Sequence, residues 1–264
     1  MSKLSSQIFV ALSLSMGAPH AFAQSTDQMN AANNPLQPSI GLNLQDDYTG
    51  SYYGLNNADS NSGLLRGTMP VKFFGLPQII RATLPFTTTP NIDPNGRTSN
   101  VGDLNVIDIA LAKVGTFAIG FGPQLTIPTA GSDNTGAGKW QAGLAAVVVA
   151  PRPWGLYGAL ITWQTSFAGS NNQPGQNGLQ LQPLVIYNLP RGWYLRSTAA
   201  WHWDFKAGTH YVPLGFGTGK VWTGRTGDIY NFFAEPQWTV AHAGDGVPHF
   251  QLYFGLNIQF PIKQ

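Results

Sequence analysis

The sequence predicts an all-β fold, an antiparallel up-and-down transmembrane β-barrel of about 12 strands. Three features indicate it: side chains that alternate between apolar and polar, connections that alternate between long and short, and aromatic residues near strand ends. Helices and closed barrels are the only architectures that satisfy the backbone in lipid. No segment has 18 consecutive apolar residues, so the sequence predicts no membrane-spanning helix.

The alternation is clearest in FQLYFGLNIQF, residues 250–260, where every second residue is large and apolar. The residues between them are mostly small or polar. Side chains of a β-strand point alternately to its two faces, so one face here is apolar throughout. Similar patterns recur at 63–73, 117–127, 179–188 and 193–204. Alternation over about ten residues is typical of a barrel strand between lipid and a lumen.

Extending this pattern along the chain yields the complete set of strands. The alternation is weakest in the first and the tenth, since HYVPLGFGTGKVW alternates poorly. The predicted strands are 40–48, 63–73, 78–86, 103–114, 116–127, 140–150, 154–167, 179–188, 193–204, 210–222, 229–240 and 249–260.

The connections between predicted strands differ in length in a regular way. Those after the first, third, fifth and seventh strands are long, polar and rich in Asn, Gly and Ser, as in TGSYYGLNNADSNS. Those after the second, fourth, sixth and eighth are as short as GLPQ and PRP. Outer-membrane barrels have long loops outside the cell and tight turns in the periplasm. The pattern therefore places both chain termini at the periplasmic end.

Aromatic side chains fall near both ends of the predicted strands. Such residues form girdles at the two membrane interfaces of a barrel. We expect them to contact outer-membrane lipid and lipopolysaccharide. The predicted girdle comprises Trp140, Trp163, Trp193, Trp201, Trp203, Trp238 and Phe260.

The N-terminus and the composition define the compartment. Residues 1–23 combine Lys3, an apolar centre and Ala21-Phe22-Ala23, the layout of a secretory signal cleaved after Ala23. Residues 24–38 are predicted to be a flexible periplasmic leader or a plug in the lumen, and residues 39–264 the barrel. Only 10% of residues are charged, against roughly 25% in soluble domains. A net charge of +2 indicates no nucleic-acid partner. A soluble exported β-sandwich is the alternative fold.

Several stretches resemble one bacterial family, the outer-membrane barrels of the "MetA-pathway of phenol degradation". They are VGDLNV, PQLTIPTAG, PLGFGTGKVW, FFAEPQWTV and LYFGLNIQF, within a resemblance that spans Leu36 to Phe260. The resemblance implies an outer-membrane transporter, with small hydrophobic or aromatic compounds as its solutes. Barrels of this kind commonly end on an aromatic residue that the assembly machinery reads. Here four residues, Pro261 to Gln264, follow Phe260.

Charged side chains in the polar phase of the strands are candidates for a constriction. A mixed set of buried charges indicates either a wet channel or ion pairs that hold strands in register across a closed lumen. As a constriction, these residues would select solutes by charge and size. The candidates are Arg66, Lys72, Arg81, Asp108, Arg196, His202, Asp204 and Glu235.

Catalysis and metal binding have weaker support. His202 and Asp204 lie two apart on one strand face, and we expect them to form a lumenal ion pair. The sequence has no cysteine, which excludes thiolate chemistry. We predict no catalytic residue, metal site or cofactor, and a channel for passive entry of a small-molecule solute. The alternatives are a barrel-borne lipid hydrolase and a structural surface barrel with a sealed lumen.

Overall fold

The computed structural model describes residues 24–90 and 96–261. The predicted signal and its cleavage site after Ala23 lie outside the described residues. The described elements are α1 (Thr26–Asn33), β1 (Ile40–Tyr52), β2 (Ser60–Phe73), β3 (Leu76–Thr88), β4 (Ser99–Val101), β5 (Leu104–Val114), β6 (Phe117–Ile127), β7 (Lys139–Arg152), β8 (Gly155–Gly169), β9 (Asn177–Asn188), a 3-10 turn (Pro190–Gly192), β10 (Trp193–Ser197), β11 (Trp201–Asp204), β12 (Thr209–Gly215), β13 (Gly217–Thr223), β14 (Ile229–Ala243) and β15 (Pro248–Phe260).

These strands form one closed antiparallel sheet. Each strand pairs with its neighbours, and β1 pairs with β15 from Ile40↔Phe260 to Tyr52↔Pro248, which closes the barrel. β4 with β5, β10 with β11, and β12 with β13 each form one interrupted strand, so the barrel has 12 strands. The predicted fold class is confirmed. Closure leaves no edge strand in the described part of the chain.

The strand ends agree with the predicted ones to within a few residues. The ninth predicted strand contains an interruption, between Ser197 and Trp201. The tenth is interrupted at Phe216 but keeps one side-chain phase from Pro213 to Trp222. Its alternation is poor in the sequence because Thr218 and Lys220 fall in the outer phase. The tight turns, such as Phe74-Gly75, lie at the same end as the two termini of the barrel.

The outer surface is apolar and the upper inner surface is polar, as the alternation predicts. On β1, Leu42 and Leu44 are exposed on the outside, whereas Gln45 and Thr49 are buried inside. Among the described residues, no helix is long and apolar enough to cross a membrane.

The barrel wall is irregular where the two interrupted strands meet. β10 pairs with β13 at one end, from Trp193↔Lys220 to Arg196↔Gly217. β11 pairs with β12 at the other end, from His202↔Tyr211 to Asp204↔Thr209. Between these two ladders the facing backbones do not pair with each other.

Candidate functional site: the barrel lumen

Two cavities lie one above the other in the described part of the lumen. The upper cavity has a volume of about 750 Å³ and reaches the loop end of the barrel, where Gly246 and Gln176 line it. Its wall is rich in amides, which can donate and accept hydrogen bonds. The amide residues are Asn105, Gln124, Gln141, Gln164, Gln176, Asn177, Gln180, Gln182, Gln237 and Gln251.

The lower cavity is a smaller chamber of about 160 Å³ near the end of the barrel that carries the tight turns. Part of its lining comes from residues 32–37, which precede β1 and include Ala32, Asn33 and Pro35. Six residues near the middle of their strands line both cavities and form a ring that we call the neck. The neck residues are Arg66, Arg81, Leu160, Gln182, Thr198 and Tyr253.

The helix α1 lies inside the barrel at the end that carries the tight turns. The helix begins with a capping box at Ser25. The Ser25 hydroxyl accepts a hydrogen bond from the backbone N–H of Gln28, and the Gln28 side chain accepts one from the backbone N–H of Ser25. Beyond the helix, Leu36 is buried in the same cluster as Met29 and Ala32. We call residues 24–38 the N-terminal segment.

Hydrogen bonds join the N-terminal segment to strands on several sides of the barrel. Asn231 of β14 donates to the backbone oxygen of Ala32 at 3.0 Å and to Asn33 Oδ1 at 3.0 Å. Asn30 donates to the backbone oxygen of Arg152 at 2.9 Å, and Asn188 of β9 donates to Asn30 Oδ1 at 2.9 Å. Because these partners lie on different strands, the segment bridges the barrel interior rather than following one wall.

Apolar packing covers the remaining surface of the segment. Leu36 enters the space above Gly120, where a Cβ would lie 2.7 Å from Leu36 Cδ2. Burial of this apolar area contributes roughly 25 cal/mol per Å². The inward-facing residues of the cluster are Ile107, Ile109, Ala145, Val147, Val149, Leu156, Leu160, Leu184, Ile186, Tyr194, Val221 and Phe233.

Arg66 and Arg81 lie next to each other in the neck. In the β2–β3 ladder, Arg66 pairs with Thr83 and Arg81 with Thr68, so the two arginines are diagonal neighbours on the inner face. Arg66 donates from Nε to Thr83 Oγ1 at 3.0 Å. Within the described part of the chain, the Arg81 guanidinium has no hydrogen bond or ion pair. Both guanidinium groups therefore present N–H donors to the lumen.

Arg196 and Glu235 form a buried ion pair in the irregular part of the wall. Arg196 Nε lies 2.7 Å from Glu235 Oε2, and the two side chains are 8% and 0% exposed. The Glu235 carboxylate also accepts from the backbone N–H of Thr198 at 2.8 Å and from its hydroxyl at 2.7 Å. Thr198 lies in the interruption between β10 and β11, so Glu235 provides the acceptor that a neighbouring strand would otherwise supply.

Aromatic rings and glycines complete this cluster. The Arg196 guanidinium lies 3.7 Å from the centroid of the Phe233 ring, a cation–π contact. Gly215 and Gly217 leave room for the acid, since a Cβ on Gly215 would lie 2.1 Å from Glu235 Oε1.

Five of the predicted site residues line the lumen. Arg66, Arg81, His202 and Asp204 line the upper cavity, and Arg66, Arg81 and Arg196 line the lower one. Glu235 lines neither, because it is enclosed in the wall cluster.

Asp108 and Lys72 require correction as lumenal residues. Asp108 lies between Ile107 and Ile109, which both face the inner cluster, so its side chain is on the outer face. There the amide of Gln78, oriented to donate, lies 3.1 Å from both carboxylate oxygens. Lys72 is exposed at the end of β2 and lines neither cavity.

The expected ion pair between His202 and Asp204 is absent among the described contacts. The Asp204 carboxylate accepts instead from the backbone N–H groups of Lys206 and Ala207, at 2.8 and 3.0 Å. His202 stacks on Tyr211 with 4.6 Å between ring centroids. Within the described residues, no group of three or more His, Cys, Asp or Glu side chains could hold a metal ion.

The predicted girdle residues divide into two groups. Trp201 and Trp203 are half-buried, and Trp201 donates from Nε1 to the backbone oxygen of Pro213 at 3.1 Å, across the irregular wall. The exposed members are Trp140, Trp163 and Trp238 towards the loop end, and Trp193 and Phe260 towards the end with the tight turns.

Sequence reasoning missed the residues that hold the N-terminal segment, above all Asn231. One signal could have indicated a covered interior: residues 144–150, LAAVVVA, are apolar on both faces of their strand. A strand with lipid outside and water inside would alternate there.

Solved structures of similar fold include outer-membrane channels. The COG4313 outer membrane channel from Pseudomonas putida F1 has a TM-score of 0.67 at 16% identity, covering 86% of this chain and 98% of that chain. The KdgM porin, in complex with disordered oligogalacturonate, has a TM-score of 0.50 at 8% identity, covering 84% of this chain and 100% of that chain. No protein-family model matches the sequence, and no curated protein matches it. The chain is thus a closed antiparallel barrel of 12 strands with the fold of outer-membrane channels.

Proposed function

We propose that this barrel is an outer-membrane channel for the passive entry of small molecules, with the N-terminal segment covering its periplasmic end. The observation that carries the proposal is the lumen itself. A polar cavity of about 750 Å³ begins at the loop end and meets a lower chamber at the neck. Porin-type lumens combine such polar walls with a local constriction. The expected surroundings are outer-membrane lipid, lipopolysaccharide and the assembly machinery.

The solute class has two candidates. The family resemblance implies hydrophobic or aromatic compounds, and Leu184, Ile186 and Phe233 on the lower chamber favour an apolar group there. The amides of the upper cavity favour a polar solute instead.

The alternative of a structural barrel with a sealed lumen is favoured by the N-terminal segment, which covers the floor of the lower chamber.

Conductance of the refolded protein in planar bilayers tests the channel. We expect small currents from the mature chain and larger currents from a variant that lacks residues 25–35, since the deletion removes α1 and its hydrogen bonds. An otherwise intact barrel that passes no ions in either form would contradict the channel and support the sealed barrel. Arg196→Ala should change the current, because Arg196 lines the lower chamber.

A further inference from the structure

The neck carries positive charge that no described side chain neutralises. The Arg81 side chain makes no hydrogen bond or ion pair with the described residues, and the Arg66 side chain makes one hydrogen bond, to Thr83. Arg196, by contrast, is paired with Glu235. A partly buried guanidinium without a carboxylate partner has unused N–H donors in a fixed, planar array. That array matches an oxyanion, which can accept two parallel hydrogen bonds from it.

The acidic residues of the upper cavity do not fill this role. Asp47, Asp103 and Asp204 line that cavity, but none lies within 4.0 Å of either neck arginine. Each is held by other donors. Gln251 Nε2 donates to Asp47 at 3.0 Å. The backbone N–H groups of Ala130 and Ala137 donate to Asp103 at 3.1 and 2.7 Å. The backbone N–H groups of Lys206 and Ala207 donate to Asp204.

The other neck side chains are engaged with the wall. Gln182 donates to the backbone oxygen of Thr198 at 2.8 Å, and the Tyr253 hydroxyl donates to Gln45 Oε1 at 2.7 Å. The unused hydrogen-bonding capacity at this level therefore belongs mainly to the two arginines. Any solute moving between the cavities passes this ring, because the same residues line both.

We propose that the neck recognises the oxyanion group of a small organic anion, a carboxylate or a phosphate, with Arg81 as the main ligand and Arg66 beside it. The amides of the upper cavity suit a hydroxyl-bearing body, since each amide can both donate to and accept from a hydroxyl group. This inference rests on the proposed channel and names its solute class.

Binding of gluconate to the full mature chain in detergent tests the neck without requiring conduction. Equilibrium dialysis with labelled gluconate should detect binding that excess sorbitol, a neutral polyol of similar size, does not displace. Arg81→Gln should weaken binding about tenfold or more, as expected for loss of a charge-assisted hydrogen bond. Arg81→Lys should retain part of the affinity for gluconate, since the positive charge remains while the planar array of N–H donors is lost. Competition by glycerol 3-phosphate would show whether phosphate is preferred to carboxylate.

Lys72→Gln is the matched control, because it removes one positive charge from the same strand as Arg66 but outside both cavities. Gluconate affinity in this variant should equal that of the parent. Equal losses in Lys72→Gln and Arg81→Gln, or equal affinity for gluconate and sorbitol, would overturn the proposal.

Ion selectivity provides a second readout. In a tenfold gradient of potassium gluconate, the reversal potential of the parent should have the sign of anion preference. It should move towards cation preference in Arg66→Gln/Arg81→Gln but not in Lys72→Gln. Currents with cation preference in the parent would contradict the anion neck. Gluconate binding without any current would instead contradict the channel and leave the neck supported.

Discussion

Arg196 Nε lies 2.7 Å from Glu235 Oε2, and both side chains are almost inaccessible to solvent. The pair lies where the ladder between β10/β11 and β12/β13 is interrupted, and Glu235 also accepts from the backbone N–H of Thr198. The cluster thus replaces strand pairing by side-chain hydrogen bonds. We therefore expect Glu235 to stabilise the barrel, while the Arg196 side chain that it holds also lines the lower chamber.

Glu235→Gln should destabilise the barrel by about 3 kcal/mol or more, because it leaves the Arg196 charge buried without a counter-charge. The measurement is urea unfolding of the protein folded in lipid vesicles. Asp59→Asn is the control, since Asp59 and Arg97 form an ion pair that is partly exposed, and surface pairs contribute about 0–1 kcal/mol. Similar losses in the two variants would show that the buried pair has no special role.

Gly215→Ala should also destabilise this part of the wall. The added Cβ would lie 2.1 Å from Glu235 Oε1, so the carboxylate must move away from Thr198. Gly67→Ala on β2 provides the comparison, because a Cβ there meets nothing within 4 Å. Heat-modifiability on gels should show a lower transition temperature for Gly215→Ala and a parent-like one for Gly67→Ala. The reverse order would contradict the packing around Glu235.

Asn231→Leu should loosen the N-terminal segment, since it removes the donors to Ala32 and Asn33. The sequence has no cysteine, so Met29→Cys introduces a unique reporter at a position that is 3% exposed. Maleimide should label this reporter slowly alone and faster when Asn231→Leu is added. Asn61→Leu, which removes a hydrogen bond to Asp46 near the loop end, should not change the rate. Fast labelling of the Met29→Cys variant without Asn231→Leu would mean that α1 does not occupy the lumen.

Leu44→Arg tests whether the outer surface meets lipid. Leu44 is 50% exposed, and in water an exposed Leu would tolerate the change. In a bilayer, an arginine near the midplane costs about 2–4 kcal/mol. We expect the free energy of unfolding in lipid vesicles to fall by that amount for Leu44→Arg. It should not fall for Asn171→Arg in the exposed loop 170–176. Equal stability of the two variants would support a soluble barrel.

The sequence by itself determined the strands, because an apolar outer surface and a polar lumen impose opposite demands on alternate side chains. The strand from Pro248 to Phe260 follows that pattern throughout. Its predicted start differs by one residue from the observed one, and its predicted end is the observed one. The lumenal position of Arg66 and Arg81 could be predicted for the same reason, because both arginines lie in the polar phase of their strands.

At the level where the N-terminal segment fills the barrel, only the tertiary structure decided which face of a strand points into the lumen. Met29 and Leu36 make the lower lumen apolar, so Ile107 and Ile109 face inward and Asp108 faces outward, the reverse of what polarity predicts. Likewise, the pairing of Glu235 with Thr198 depends on a break in a strand 37 residues away along the chain. Both arrangements are long-range contacts, and alternation within one strand carries no information about what packs against its inner face.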